Sequence, residues 1–263
     1  MVSTKSLLLA AFSTIAYAAP TKGPCKSLTP TLPSTGGDDL ISPSPTARLK
    51  KIVIGHGIQN YTCVSALGAA SPTPSATGAL AVLYDVTTLY PGLSKSSLSL
   101  SAFNLLPHAL LWDRPVPLNR PDNSSYSAST TSPFPAHSDL TNLANYPSLK
   151  YAGHHFFDNT GTPIFDLDVS GLKASVTKIG NVAAPKDADR GVLDTGAVAW
   201  LKLVDNKKGE SKGVNLVYRV QTAGGNPEGC VVADGGNGKE KRGLGVGETQ
   251  SVPYTTFYWF YEE

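Results

Sequence analysis

Alternating apolar and polar residues dominate the second half of the chain, from about residue 150 onward. The pattern predicts a hairpin made by residues 151–158 and 163–169, with Thr160 and Gly161 as a two-residue turn. Further strands, separated by clusters of Gly, Asn and Asp, are predicted at residues 174–182, 197–204, 214–222 and 252–261. Short strands separated in this way are typical of an all-β protein, either an antiparallel sandwich or a barrel.

The first strand-like stretch, residues 52–64, contains a histidine between two glycines, a glycosylation sequon at Asn60 and the cysteine Cys63. Side chains alternate between the two faces of a strand, so Tyr61 and Cys63 share one face while Asn60 and Thr62 share the other. A glycan on Asn60 must lie in solvent. The pattern therefore predicts that Tyr61 and Cys63 face the interior.

The segment between the first strand and the hairpin lacks a clear strand pattern. Apolar residues recur at helical spacing over residues 79–90, which predicts one short helix, and residues 98–106 predict a second, weaker one. Residues 107–148 are rich in proline and carry a second sequon at Asn123. We interpret them as a long insertion whose apolar ends pack over the domain.

The N-terminus predicts secretion. Lys5 is followed by an apolar segment, residues 7–15, and by Ala16-Tyr17-Ala18, which together are typical of a signal peptide over residues 1–18. The apolar segment is too short to cross a membrane, and no later stretch is long enough. Residues 19–51 are rich in Pro, Ser and Thr and predict a flexible lead. A single β domain is expected over residues 52–263.

Charge and motifs exclude several classes of protein. With 22 basic and 20 acidic residues, the chain lacks the positive excess that nucleic acids or anionic membranes attract. Residues 243–247 read GLGVG, but this GxGxG run leads into a strand rather than opening a helix, so a dinucleotide site is rejected. No motif indicates a cofactor or a metal, and we expect neither.

Three cysteines are present, Cys25, Cys63 and Cys230. In an oxidising compartment two of them should form a disulfide. Cys63 and Cys230 both border predicted strands, whereas Cys25 lies in the lead, so we predict a bond between Cys63 and Cys230. The alternative, in which Cys25 takes the place of one of these two cysteines, is left open by the sequence.

The hairpin supplies the candidate catalytic residues. A two-residue turn would place His155 opposite Asp166, and a facing carboxylate would raise the pKa of the histidine and fix its tautomer, as a general base requires. Such pairs are more often structural. Asp168 shares the predicted face of Asp166, but neighbouring carboxylates on an outer strand are usually only solvated.

Four further residues are candidates for ligand binding: His56, His154, Trp200 and Arg219. Trp200, with Trp112 and Trp259, could form a sugar-stacking surface, although tryptophans more often lie in the core. His154 should point away from His155 on a regular strand. Arg219 lies within a strong predicted strand and, if buried, would need a carboxylate or a polar ligand; a structural ion pair is the favoured interpretation.

Four motifs in order resemble a known family: GHGIQNYTC at 55–63, GHHFF at 153–157, YRVQTAGG at 218–225, and VPY at 252–254 with its aromatic tail. The family is a domain-of-unknown-function family of secreted proteins, mostly fungal with bacterial relatives. Members often carry the label "malate dehydrogenase", but the nicotinamide-binding fingerprint is missing here. The resemblance implies a secreted β domain and provides no established catalytic residues.

These features predict a secreted, glycosylated protein without enzymatic activity that binds carbohydrate or another small polar ligand at the extracellular surface or cell wall. One alternative is a secreted hydrolase that uses His155 and Asp166. Another is a protein that binds a partner and has no ligand pocket.

Overall fold

Eight antiparallel strands close into a barrel in which each strand pairs with its neighbour in sequence and the last pairs with the first. The computed structural model describes residues 30–65, 71–122, 126–231 and 243–263. The strands are β1 Arg48–Val64, β2 Thr73–Asp85, β3 Lys150–Phe157, β4 Pro163–Leu167, β5 Leu172–Val182, β6 Trp200–Asp205, β7 Leu216–Gly224 and β8 Thr249–Glu262. One α-helix of the described chain, α1 Leu100–Asp113, lies between β2 and β3. The all-β prediction is confirmed, and the architecture is the barrel.

The barrel encloses one hydrophobic cluster and carries a second on its outer surface. The inner cluster includes Val53, Phe165 and Tyr258. The outer cluster forms where α1 and residues 114–149 cover the outer faces of β1, β2, β7 and β8. In it, Phe103 of α1 stacks on Phe257 of β8 with the ring centroids 4.6 Å apart. Strand β8 is therefore buried on both faces, as its aromatic pattern predicts.

The predicted helix over residues 79–90 is wrong, because most of this segment belongs to β2. Ala81 and Leu83 point into the barrel, whereas Val82 and Tyr84 belong to the outer cluster. A strand that is buried on both faces loses the alternation that marks a half-exposed strand. Its apolar residues then fit a helical spacing equally well. The prediction of a helix near residues 98–106 is confirmed, since α1 begins at Leu100.

The described part of the predicted lead packs against the barrel, which corrects the expectation that residues up to 51 are flexible. Leu32, Leu40 and Ala47 contact the outer cluster. The Tyr218 hydroxyl donates a hydrogen bond of 2.8 Å to the carbonyl of Ile41. The apolar residues of this segment follow no period, but they pack against the outer cluster. The predicted signal peptide lies outside the described residues.

The two glycines that flank His56 are explained by the barrel interior. A Cβ atom on Gly55 would lie 2.7 Å from a ring carbon of Tyr258. A Cβ atom on Gly57 would lie 1.9 Å from the carbonyl oxygen of Leu80. The inner face of β1 is therefore kept free for neighbouring strands and for the tyrosine ring.

Candidate functional site

A cavity of about 800 Å³ lies on the outside of the barrel, between α1 and the strands β6 to β8. Its base comes from the barrel wall, one side from α1, and the others from residues 31–34 and residues 185–189. Its lining residues are Thr31, Leu32, Pro33, Ser34, Tyr90, Leu100, Asn104, Leu105, Pro107, His108, Pro185, Asp187, Ala188, Asp189, Trp200, Gln221, Thr222, Ala223 and Trp259. This volume is within the range of small-molecule sites in proteins.

The base of the cavity is aromatic. Trp200 and Trp259 are almost fully buried, and Tyr90 packs edge-on against Trp259 with the ring centroids 5.4 Å apart. The Nε1 atoms of both tryptophans are buried and lack a hydrogen-bond partner among the described residues. Because both indoles are almost fully buried, they form the floor beneath the cavity, and the partly exposed Tyr90 supplies the accessible ring there. Trp200 thus lies where the sequence-based hypothesis of ligand binding needs it, and its binding role stays a prediction.

The rim of the cavity carries a hydrogen-bonded cluster of His108, Trp112 and Asp189. The Nδ1 atom of His108 is hydrogen-bonded to Oδ2 of Asp189. The indole Nε1 of Trp112 donates to the same oxygen at 2.7 Å, and the backbone amide of Gly191 donates to Oδ1 at 2.8 Å. Burial alone would raise the pKa of Asp189, but the hydrogen bonds from Gly191, Trp112 and His108 lower it below its ordinary value. The cluster therefore holds an ionised carboxylate at the edge of the cavity.

Helix α1 places three polar or aromatic side chains along one face. Asn104, His108 and Trp112 are spaced four residues apart, so they lie on successive turns of the helix. The helix begins at a good capping residue, since the Ser99 hydroxyl accepts a hydrogen bond of 3.2 Å from the amide of Ala102. Trp112 is 52% exposed and offers an aromatic surface beside the cavity.

The segment that carries Asp189 is fixed to the barrel by close backbone contact. The amide of Gly224 donates to the carbonyl of Asp189 at 2.9 Å. Gly191 and Gly224 both have positive φ, and a Cβ atom on Gly191 would lie 2.5 Å from the Cα atom of Gly224. Gly224, the first of the two glycines in the YRVQTAGG motif, therefore lets this segment approach β7 and positions the carboxylate.

Gln221 lines the cavity from an irregular point of β7. Its φ is 50°, in the left-handed region that side chains other than glycine rarely adopt, and the β7–β8 register shifts between Val220 and Ala223. Bulges of this kind redirect side chains and are frequent beside functional sites.

The polar lining is acidic or neutral. Asp187 and Asp189 line the cavity, whereas no lysine or arginine of the described chain does so. A phosphorylated or carboxylated ligand would meet negative charge without a compensating cation. The lining instead suits a neutral ligand with hydroxyl groups and an apolar face.

The predicted pairing of His155 with Asp166 is wrong. His155 lies opposite Phe165, and Asp166 lies opposite His154. The hairpin has a three-residue loop, Asn159-Thr160-Gly161, because the backbone amide of Asp158 donates to the carbonyl of Thr162. The carboxylate of Asp158 stabilises this loop by accepting hydrogen bonds from the amides of Thr160 and Thr162. A shift of one residue turns every side chain to the other face. Asp168, the other carboxylate considered, lies beyond the end of β4.

His155 instead belongs to the barrel interior. Its ring stacks on Phe165 with centroids 4.0 Å apart, and its Nδ1 lies 2.8 Å from the carbonyl oxygen of Ile164. A carbonyl oxygen can only accept a hydrogen bond, so Nδ1 carries the hydrogen and donates it. Burial lowers the pKa of His155 to about 4, and only the bond to Ile164 opposes this. The expected rise in pKa is therefore wrong, since no carboxylate faces the ring.

The other predicted site residues lie apart from the cavity. His56 is fully buried on the outer face of β1, and both its ring nitrogens lack a partner in the described chain. Burial, with a contribution from Arg114, lowers its pKa to about 3. His154 stacks on Phe134 beside Tyr151 and His137. Their roles in ligand binding stay predictions.

Arg219 points into the barrel, where its Nε and Nη2 atoms donate to the carbonyl of Ala199 at 3.1 and 2.8 Å. No carboxylate of the described residues pairs with it, so the favoured structural ion pair is wrong. The nearby rings of Tyr254 and Tyr258, whose hydroxyls lie 3.0 Å apart, share this interior with it.

The disulfide between Cys63 and Cys230 is confirmed, and it joins residues 167 positions apart. Tyr61 and Cys63 are buried as predicted, whereas Asn60 and Thr62 are partly exposed. The side-chain oxygen of Asn60 accepts a bond of 2.8 Å from Ser251. Glycosylation of Asn60 stays a prediction, and both Cys25 and Asn123 lie outside the described residues.

Sequence patterns did not identify His108 or Asp189. The two residues are 81 positions apart, so no local motif joins them. The only available signal was the spacing of Asn104, His108 and Trp112 on one helical face, and it was hidden in a segment interpreted as an insertion.

In the described ranges, no group of three or more His, Cys, Asp or Glu residues is arranged to hold a metal ion. None of the described helices has the length and apolar character needed to cross a membrane.

Comparison with known proteins gives one match. No curated protein and no solved structure is significantly similar to the chain. Residues 43–262 match a family described as "Protein of unknown function (DUF3455)", which covers the whole barrel and the residues that form most of the cavity. The resemblance seen in the four sequence motifs is thereby confirmed, and the chain belongs to the DUF3455 family.

Proposed function

We propose that this protein is a secreted carbohydrate-binding protein and that the cavity beside α1 is its binding site. The observation that carries the proposal is the combination of an aromatic base, an exposed tryptophan hydrogen-bonded to the lining residue Asp189, and a lining to which no described lysine or arginine contributes. Sugars have an apolar face that stacks on aromatic rings and hydroxyl groups that both donate and accept hydrogen bonds. A neutral oligosaccharide matches each of these features.

The polar groups are distributed as such a ligand requires. The carboxylate of Asp187 can accept from sugar hydroxyls, and the side-chain amides of Asn104 and Gln221 can both donate and accept. Trp112 is held by its bond to Asp189, so its ring is already oriented before a ligand arrives. Preorganisation of this kind reduces the entropy lost on binding.

Secretion is supported by the disulfide, because such bonds persist in oxidising compartments. The predicted signal peptide and the sequon at Asn60 agree with it.

Isothermal titration calorimetry with a panel of neutral oligosaccharides, built from glucose, mannose and xylose, tests the proposal. We expect one sugar class to bind, and Trp112→Ala to weaken that binding at least tenfold, about 1.4 kcal/mol. Ile179→Ala is the matched control, since Ile179 is exposed to a similar extent but lies on β5, which supplies no residue to the cavity, whereas Trp112 is bonded to the lining residue Asp189. Absence of binding across the panel, or equal affinities of the two variants, would contradict the proposal.

A further inference from the structure

The His108–Asp189 pair has the geometry of an oriented general base. His108 lines the cavity, and its side chain is 58% exposed. Its Nδ1 is bonded to the Asp189 carboxylate, which can only accept, so Nδ1 carries the hydrogen of the neutral ring. The lone pair is then on Nε2, which has no hydrogen-bond partner among the described residues. An imidazole held in this tautomer can accept a proton from water or a hydroxyl group.

Asp189 is itself held in place by groups that do not depend on His108. Trp112 and Gly191 donate to its two carboxylate oxygens, and Gly224 donates to its backbone carbonyl. A carboxylate with these bonds stays ionised and fixed, as the orienting member of a catalytic dyad must be.

Two side-chain amides complete the arrangement. Asn104 lies one helical turn before His108, and Gln221 enters from the bulge of β7. Both line the cavity, and no described residue hydrogen-bonds either side chain. Amide N–H groups in such positions can stabilise the negative oxygen that develops during attack on a carbonyl.

The same groups argue against other hydrolytic chemistry. Hydrolysis of a glycosidic bond generally needs two carboxyl groups, one of which donates a proton. Of the two in the lining, Asp189 is engaged by three donors, which leaves Asp187 without a second carboxyl group to work with. Hydrolysis of a phosphate ester would place an anion in a lining without Lys or Arg. A carboxylic ester requires only a base, a water molecule and donors for the oxyanion.

We propose that the cavity hydrolyses carboxylic esters of sugar hydroxyl groups, with His108 as the general base and Asp189 as its positioning residue; this inference rests on the proposed binding function. The water oxygen attacks the acyl carbon while Nε2 of His108 takes one water proton. The resulting oxyanion reforms the carbonyl and breaks the carbon–oxygen bond to the sugar. The sugar oxygen takes the proton from the imidazolium, which gives a free sugar hydroxyl and a carboxylic acid with no change in oxidation state.

The test is the release of acetate from glucose pentaacetate, followed by proton NMR with the full-length secreted protein. We expect release above the buffer rate. His108→Gln should lower kcat at least 100-fold, within the range of general-base contributions, with little change in KM. His137→Gln is the control, because His137 is 55% exposed and also lies near an aspartate, Asp168, but is remote from the cavity.

Asp189→Asn should lower kcat at least tenfold and change the tautomer of His108. Nitrogen-15 NMR of the ring should show Nδ1 protonated in the unchanged protein and a shift toward Nε2 protonation in the variant. A role of Asp189 in folding alone would leave the tautomer unchanged, and this readout does not depend on the choice of substrate.

Three results would overturn the inference, and they separate it from the binding function. Binding of free sugars without acetate release would refute the general base and leave the binding proposal intact. Failure of both binding and release would refute both. Release that survives His108→Gln would place the reaction elsewhere in the molecule.

Discussion

Acid should destabilise this protein through the buried ring of His155. The pKa of a histidine that is fully exposed to solvent is 6.5, whereas that of His155 in the folded protein is about 4. Because the folded pKa is the lower one, the unfolded chain binds the extra proton between these values. The contribution of the neutral His155 ring to the free energy of unfolding is fully present above pH 6.5, and it is lost as the pH falls from 6.5 toward 4.

The size of the effect follows from the same shift. Each pH unit inside the window changes the free energy of unfolding by about 1.4 kcal/mol per histidine. Between pH 7 and pH 5 the contribution of His155 is therefore about 2 kcal/mol. His56, with a folded pKa of about 3, should add a similar loss over the same interval.

The assay is urea unfolding at pH 7 and pH 5, followed by tryptophan fluorescence with the disulfide intact. His155→Phe keeps an aromatic ring on Phe165 but cannot titrate, so its loss of stability between the two pH values should be about 2 kcal/mol smaller than that of the unchanged protein. The variant also leaves the Ile164 carbonyl without its donor, and that cost is common to both pH values. The half-exposed His137 supplies the control variant, His137→Gln. Equal losses in His155→Phe and the unchanged protein would refute the reasoning.

Three other changes test the fold and the cavity. Replacing Cys63 and Cys230 by serine together should lower the free energy of unfolding by about 2–4 kcal/mol, measured by urea titration, and no change would contradict a bond formed in the native protein. Gly57→Ala should prevent native folding or lower the melting temperature by more than 10 °C, because the new Cβ overlaps the Leu80 carbonyl, whereas Gly209→Ala, at a turn with open space, should lower it much less. Gln221→Gly should raise stability by about 1 kcal/mol by removing the cost of positive φ, while sugar binding weakens; a stability loss with unchanged affinity would refute a role for the bulge.

The sequence predicts the strands well wherever one face of the sheet is buried or a turn is marked. The strands after residue 150, the inward direction of Tyr61 and Cys63 and the burial of both faces of the last strand follow from alternation and composition. The disulfide follows from the predicted oxidising compartment and from the positions of two cysteines beside strands.

Other features depend on tertiary structure that local patterns do not carry. Strand β2 resembles a helix because the outer cluster and the barrel interior bury both its faces. The hairpin register depends on whether Asp158 or Asn159 closes the loop, and this choice of one residue decides whether His155 lies opposite Asp166 or opposite Phe165. The cavity depends on contacts between α1, residues 185–189 and the wall of the barrel, which are distant in sequence.

The central claim is that the cavity binds a neutral sugar against Trp112. The most direct measurement is a proton–nitrogen correlation spectrum of the indole N–H groups, recorded while a neutral oligosaccharide from the panel is added. The Nε1–H of Trp112 bonds Asp189 at the rim, whereas those of Trp200 and Trp259 are buried without partners. We expect the Trp112 signal to shift progressively and saturate. A spectrum in which no sugar moves that signal would contradict the account.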